Sequence, residues 1–153
     1  MVRQLRFVGD RTRSPEAAID AVKDARWVLL APGALYRCVL CAAAVPDLAA
    51  ALTGTSARVV WIANLEPDPS EAGNITAIDH LLVLRLHGVR VDVVLHDAAA
   101  TLKFDAADLA VHRVESVSRP LRAGINPARH DPDRLRSALT ALVGSHRANS
   151  VGG

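Results

Sequence analysis

The hydrophobic positions of the chain fall into two alternating patterns, one typical of strands and one typical of helices. Short runs that are apolar on both faces occupy residues 27–31, 57–63 and 91–96. Helical spacing of apolar residues occupies the segments 14–25, 34–44, 46–54 and 76–88. Continuous short apolar runs indicate buried parallel strands, and their alternation with helices predicts a parallel sheet joined by right-handed crossovers.

Several residues mark the expected ends of these elements. Ser14 before Pro15 predicts an N-cap with proline at the first helical position. Gly54 and Gly88 are expected to end helices in the left-handed conformation.

Weaker patterns complete the expected architecture. They predict strands over residues 4–9 and 109–116 and a helix over 131–147. We therefore expect one α/β domain over residues 1–146, followed by a flexible tail at 147–153.

Composition narrows the classes of partner. The 18 basic and 16 acidic residues give a net charge of +2 and are scattered, and only 3% of residues are aromatic. Neither a phosphate-tracking basic run nor a set of stacking platforms is present, so no nucleic-acid partner is expected. The apolar segments are short, and the first residues lack a signal-peptide core, which predicts a cytoplasmic protein without a membrane partner.

Cys38 and Cys41 are the two cysteines of the sequence. They are too few for a disulfide framework or a four-cysteine zinc site. Because they lie within an apolar helical pattern, we predict that both thiols are buried, reduced and inert.

The loops that follow the predicted strands are the candidate ligand loops, because the carboxyl ends of parallel strands meet at one edge of a sheet. In the first loop, Gly33 permits a tight turn whose amides face an anion, with the Arg37 guanidinium nearby. The alternative is a plain strand-to-helix turn in which the glycine only avoids a steric penalty.

The second loop is longer and more polar than a connection requires. Thr76 and Asp79 have the spacing of a capping box, so Asp79 is either a cap or a site residue. His80 is expected to lie off the apolar stripe and near the strand ends, which favours a role in a site. In the third loop, His96 and Asp97 have no further ligand at metal-binding spacing, so no metal site is predicted.

Three segments, "SPEAAIDAVKDARWVLLAPGALYRCVL", "ANLEPDPSEAGNITAIDH" and "HDPDRLRSAL", together resemble the C-terminal half of the gluconeogenesis factor family. That family is related to the 2-phospho-L-lactate transferases of deazaflavin coenzyme biosynthesis. The positions that match its pattern are Pro32, Gly33, Leu35, Tyr36, Val39, Leu40, Asn64, Leu65, Pro69, Glu71, Asp79, His80, His130, Asp131 and Pro132.

The resemblance implies a Rossmann-like, three-layer α/β fold with a mostly parallel sheet and helices on both faces. It also implies a nucleotide or nucleotide-sugar site and a role in cell-wall precursor control and carbon metabolism. The ligand-binding residues expected from it and from the loop pattern are Pro32, Gly33, Ala34, Arg37, Asn64, Glu71, Asp79 and His80.

The chain also departs from the family pattern. The glycine-rich strand-turn-helix of the family is not found before Ser14, and Ala34 and Cys38 stand where hydroxyls are expected. These departures favour a diverged, non-catalytic regulatory domain that binds a nucleotide or nucleotide sugar.

Two alternatives remain open. In one, the chain is a transferase in which Glu71 or Asp79 binds a magnesium ion and His80 acts as acid or base; the cofactor is otherwise unknown. In the other, it is a remnant that acts through a protein partner, either a separate glycine-rich half or a second copy.

Overall fold

The computed structural model describes residues 5, 7, 12–68 and 75–150, with side chains as far as residue 145. Four strands form a single parallel sheet in the order β1 (Trp27–Leu30), β2 (Arg58–Ile62), β3 (Val93–His96) and β4 (Glu115–Ser118). The registers are continuous, with Val28 opposite Val59 and Val60 opposite Val93. The three clearest predicted strands are confirmed, although each is shorter than predicted.

With the exception of the short helix before β4, the helices occupy the segments that the 3.6-residue pattern predicted. They are α1 (Glu16–Asp24), a π-helix (Leu35–Leu40), α2 (Cys41–Ala43), α3 (Pro46–Gly54), α4 (Ala77–Leu86), α5 (Ala106–Val111) and α6 (Pro132–Ser150).

Helices cover both faces of the sheet, which makes the fold three-layered. On one face, Val59 and Trp61 pack with residues of α3, α4 and α5. On the other face, Val60 and Ile62 pack with residues of α6. The strands pair in the order in which they occur in the chain. Right-handed crossovers then place the helices that connect them on one face, and α6 covers the opposite face. The predicted α/β architecture with a parallel sheet is therefore confirmed.

The predicted cap at Ser14 is wrong. Pro15 occupies the N-cap position of α1 without a side-chain cap. The Ser14 N–H instead donates to the Asp47 carboxylate at 3.0 and 3.1 Å, which ties the start of α1 to α3.

The predicted strand over 109–116 is only partly right. Residues up to Val111 belong to α5, and Leu109 on that helix is fully buried. Arg113 then takes a φ of 57°, which turns the chain into β4. Over such a short apolar segment, the spacing of hydrophobic residues does not distinguish a helix from a strand.

The remaining end signals gave mixed results. Gly88 has a φ of 76° and ends α4 as predicted, whereas Gly54 is the last residue of α3 and Thr55 after it is extended. The helix predicted over 131–147 continues to Ser150. The strand predicted over 4–9 falls almost entirely outside the described residues, and the two that are described, 5 and 7, are not in a strand.

Within the described part of the chain, no single helix is both long and apolar enough to cross a bilayer. The segments Leu35–Ala43 and Pro46–Gly54 meet that criterion as a pair, but they are bent by 78°.

The capping box of α4 gives a stability prediction. The Asp79 carboxylate accepts from the Thr76 N–H at 2.8 Å, while the Asp79 N–H donates to the Thr76 hydroxyl at 3.2 Å. Asp79→Ala should lower the free energy of unfolding by about 1 kcal/mol, measured by urea denaturation, because the Thr76 N–H and the Thr76 hydroxyl lose the carboxylate that accepts from both. Asp108→Ala, in the first turn of α5, is the control, and an equal loss in both variants would contradict the capping role.

Candidate ligand-binding site

A cleft of about 580 Å³ lies where the loops after β1 and β2 meet. A third segment, just before α6, closes its side. The lining residues are Pro32, Gly33, Ala34, Asn64, Leu65, Glu66, Asp68, Ala128, Arg129 and His130. The cleft is at the carboxyl edge of the sheet, where parallel α/β folds place their ligands.

Asn64 joins the first two loops through its side-chain amide. The Gly33 N–H donates to Asn64 Oδ1 at 2.8 Å, and Asn64 Nδ2 donates to the Gly33 carbonyl at 3.0 Å. The side chain thus makes the paired bonds that a neighbouring strand would make with Gly33. Because both ends of the amide are engaged, Asn64 positions the Gly33 turn.

Glycine at position 33 permits the close approach of the following helix. A Cβ added to Gly33 would lie 3.1 Å from the Cβ of Cys38. The turn is followed directly by the π-helix, whose first carbonyl acceptor, Ala34, receives bonds from both Cys38 and Val39 N–H groups. The first amides of a helix lack intrahelical acceptors, so the cleft borders the positive end of the helix dipole.

Two arginines differ in their availability to a ligand. Arg37 forms an ion pair with Asp68 at 3.1 Å, and this pair offsets the acidic loop that the sequence places after β2. Arg129 is exposed and lines the cleft, and the structure shows no ion pair or hydrogen bond of its side chain with a described residue. Among the described residues that line the cleft, Arg129 is therefore the cation that is available to a ligand.

The segment that carries Arg129 is held by a buried carboxylate. Asp97, at the end of β3, accepts N–H groups of Leu121 and Arg122 at 2.7 and 3.1 Å, and that of Ala99 at 2.8 Å. Burial alone would raise the pKa of Asp97, but these bonds and the Arg122 charge outweigh it and lower the pKa. Asp97 remains charged and fixes the start of the loop.

The loop then folds back on itself before α6. Arg122 pairs with His130 in an antiparallel bridge, and the Ala123 N–H donates to the Arg129 carbonyl at 2.8 Å. This arrangement positions Arg129 at the cleft. Sequence analysis missed Arg129, although the matched positions His130 and Asp131 directly after it were a usable signal.

His130 adds a neutral group to the same wall. Burial lowers its pKa, against smaller opposing effects of a hydrogen bond with the Ala63 backbone and of the Asp97 charge. Its Nε2 atom is buried and has no hydrogen-bond partner among the described residues. The imidazole therefore favours the uncharged form.

The structure does not bring all the predicted site residues together. Pro32, Gly33, Ala34 and Asn64 line the cleft, and Arg37 borders it through Asp68. Glu71 lies outside the described residues.

The two helical candidates, Asp79 and His80, lie in α4 and do not line this cleft. The expectation that His80 lies off the apolar stripe is wrong, since the residue is only 4% exposed and stacks on Trp61 with ring centroids 6.2 Å apart. One of its ring nitrogens, Nδ1, is 2.8 Å from the Thr76 carbonyl.

The predicted burial of the cysteines is also wrong. Cys38 and Cys41 are both free and exposed. Cys41 donates to the Tyr36 carbonyl at 3.2 Å. The buried residues of the helix 35–43 are instead Leu35, Tyr36, Leu40 and Ala43. These apolar side chains face the core, and the two cysteines remain outside it.

Among the described residues, no group of three or more His, Cys, Asp or Glu side chains is placed to hold a metal ion.

The sequence also matches a known family. The family model "2-phospho-L-lactate transferase CofD" matches residues 1–144. The chain belongs to the CofD family. Among curated CofD-family relatives, the gluconeogenesis factor of Bacillus subtilis is 26% identical over 82% of this chain and 45% of its own length.

Other relatives named for the same factor come from Aquifex aeolicus and Mycobacterium tuberculosis. They are 33% and 30% identical over 91% and 92% of this chain, and the match covers 48% and 43% of their own lengths. The chain thus spans less than half the length of these relatives.

A solved structure of a Bacillus halodurans protein shares the fold. It superposes with a TM-score of 0.77 at 23% identity, covering 86% of this chain and 49% of that one.

The Asn64 bridge should matter more for stability than the nearby ion pair. Asn64→Ala leaves the Gly33 N–H and carbonyl without partners in a half-buried turn, which should cost about 1–3 kcal/mol of unfolding free energy. Arg37→Ala removes the same ion pair from its arginine side, which is 68% exposed, and should cost under about 1 kcal/mol. Chemical denaturation of both variants measures the difference, and a larger loss from Arg37→Ala would refute this ranking.

The buried histidines give this CofD-family domain a pH dependence. Burial lowers the pKa of His96 and of His130, so the folded chain binds protons less readily than the unfolded chain. Their stabilisation is present above the ordinary histidine pKa of about 6.5 and is lost as pH falls below it. Unfolding free energy measured between pH 7 and pH 5 should therefore decrease, and His130→Gln should reduce this slope. A stability that is constant or rises towards pH 5 would show the assignment to be wrong.

Proposed function

We propose that this chain is a non-catalytic regulatory domain that binds a nucleotide or nucleotide sugar through its phosphates, in cell-wall precursor and carbon metabolism. The observation that carries the proposal is the exposed Arg129 in a cleft built from the ends of two parallel strands. A guanidinium can meet a phosphate through two parallel hydrogen bonds.

The surroundings of Arg129 support an anionic ligand. The cleft borders the start of the helix 35–43, where the helix dipole favours negative charge. The Arg37–Asp68 ion pair offsets one carboxylate of the wall. Glu66 remains as an exposed acid at the rim, so binding should be modest and sensitive to salt.

The arrangement of the candidate catalytic residues favours binding without turnover. The transferase alternative assigned roles to Glu71, Asp79 and His80. Asp79 is engaged in the α4 cap and His80 is buried against Trp61, so neither lines the cleft. Because the family model is named for a transferase, the experiment must also measure turnover.

Ligand binding can be detected by the thermal shift of the chain with uridine and guanosine diphosphates and with their sugar conjugates. A ligand at one hundred times its dissociation constant stabilises the folded state by about 2.7 kcal/mol. Arg129→Ala should abolish this shift. Arg136→Ala, an exposed arginine on α6 that pairs with Asp133, is the matched control and should retain it.

Two results would contradict the proposal. One is a shift of equal size in both variants, which would place the ligand away from the cleft. The other is turnover of a nucleotide-linked donor by the chain with magnesium, which would establish a transferase.

A further inference from the structure

Cys38 and Cys41 form a pair of thiols on the surface of the segment 35–43. Both are free and exposed. They are three residues apart, with Cys38 in the π-helix and Cys41 at the start of α2. Residues at this spacing are neighbours on a helix surface, so the two sulfur atoms can reach a common partner. The ligand cleft does not use the pair, because neither cysteine lines it.

The separation of the two side chains is too wide for a disulfide bond. Cβ atoms three positions apart on an α-helix are separated by roughly 5–6 Å, and the wider π-helix does not shorten that distance. A disulfide needs a Cβ–Cβ distance of about 3.5–4.5 Å, so the helix would have to distort to form one. An ion held between the two sulfur atoms supplies the missing length. The geometry therefore favours a bridging ion over an oxidised pair.

The number of available ligands decides the kind of ion. Among the described residues, no third His, Cys, Asp or Glu side chain joins a group that could hold a metal. Structural zinc sites take four protein ligands, and calcium and magnesium take oxygen ligands. Soft thiolate ligands select copper(I), which is satisfied by two of them in a linear arrangement.

The surroundings of Cys38 also suit a soft ion of low charge. Cys38 lines an apolar groove of about 300 Å³ beside β1, together with Leu29, Val39 and Leu48. All the described residues that line this groove are apolar or cysteine. The groove therefore offers no carboxylate or imidazole to a harder ion, and it shields one side of the sulfur from water.

We propose that Cys38 and Cys41 bind one copper(I) ion between their two sulfur atoms. Each thiol releases its proton to the solvent as its sulfur bonds the ion, so one Cu⁺ and two thiols give a singly negative complex and two protons. No electron is transferred, and the site does not depend on the proposed nucleotide binding. Neither cysteine is among the positions that match the family pattern, so the proposal concerns this chain and not the family as a whole.

The test adds copper(I), held as its coloured bicinchoninate complex without oxygen, to the reduced chain. The chain should remove one ion from the chelator, which lowers the visible absorbance of the complex. Cys38→Ser and Cys41→Ser should each weaken binding about a hundredfold or more, because the remaining thiolate loses a second one at high effective concentration. Affinity should also decrease as the pH is lowered, because protons compete for the thiolates.

A relocated thiol provides the matched control. Cys41→Ser combined with Ala110→Cys keeps two exposed thiols in the chain, because Ala110 is exposed on α5. That helix leads into β4, at the opposite edge of the sheet from β1. The relocated variant should bind copper(I) as weakly as Cys41→Ser alone. Since both natural cysteines are exposed, the serine variants should fold as the unmodified chain does.

The amide of Gly33 gives a second readout. A Cβ added to Gly33 would lie 3.5 Å from Cys38 Sγ, so an ion on that sulfur changes the surroundings of the turn. In nitrogen-proton NMR spectra, the Gly33 signal should shift on addition of copper(I). The signal of Gly88, which follows α4, should not shift.

The proposal is overturned by any of four results. They are full affinity in either serine variant, full affinity in the relocated variant, one ion shared between two chains, and a Gly33 signal that copper(I) leaves in place.

Discussion

The burial of β2 and β3 on both faces is the constraint on which the rest of this structure depends. Val59, Val60, Val93 and Val94 have no exposed surface, so these central positions of the two strands carry apolar side chains. Polar chemistry is therefore confined to the strand ends. This is why the ligand cleft is built from loops, and why those loops need strong local anchors.

Two side chains provide these anchors by substituting for missing strand neighbours. Asn64 pairs with both backbone groups of Gly33, and Asp97 accepts three N–H groups, two of them from the segment after β4. Each takes up backbone groups that would otherwise lack partners at the edge of a buried sheet. Both sides of the cleft are therefore anchored by hydrogen bonds to backbone groups, and Arg129 is held at its wall by backbone rather than by ion pairing.

The sequence was informative wherever burial on two faces or a local backbone requirement dictated the residue type. The three apolar strands, the α4 capping box and the left-handed Gly88 are of this kind. The sequence was less informative where tertiary contacts decide between conformations that the local residues allow equally well. Ser14 donates to a distant Asp47 instead of capping, and the apolar spacing of 34–44 did not show that Cys38 and Cys41 face outward.

The candidate site also contains residues that the sequence predicts and residues that it does not. The convergence of the first two strand-end loops follows from parallel topology, and the family pattern identified Gly33 and Asn64. His80 could not be placed, because a histidine beside a buried tryptophan has no distinctive spacing. Arg129 depends on the Asp97 anchor 32 positions earlier in the chain, and no short-range pattern encodes that contact.

The ligand cleft shares the turn at Pro32 and Gly33 with an apolar groove of about 300 Å³ that lies beside β1, between α1, the segment 35–43 and α3. Pro32 lines both, and a Cβ at Gly33 would lie 3.1 Å from the Cβ of Cys38, which lines the groove. On its other side, Gly33 is bonded through its N–H and carbonyl to the Asn64 amide. A larger residue at position 33 would therefore have to displace either the start of the helix 35–43 or the Asn64 bridge. The cleft wall and the helix that follows it thus depend on the same steric constraint at Gly33.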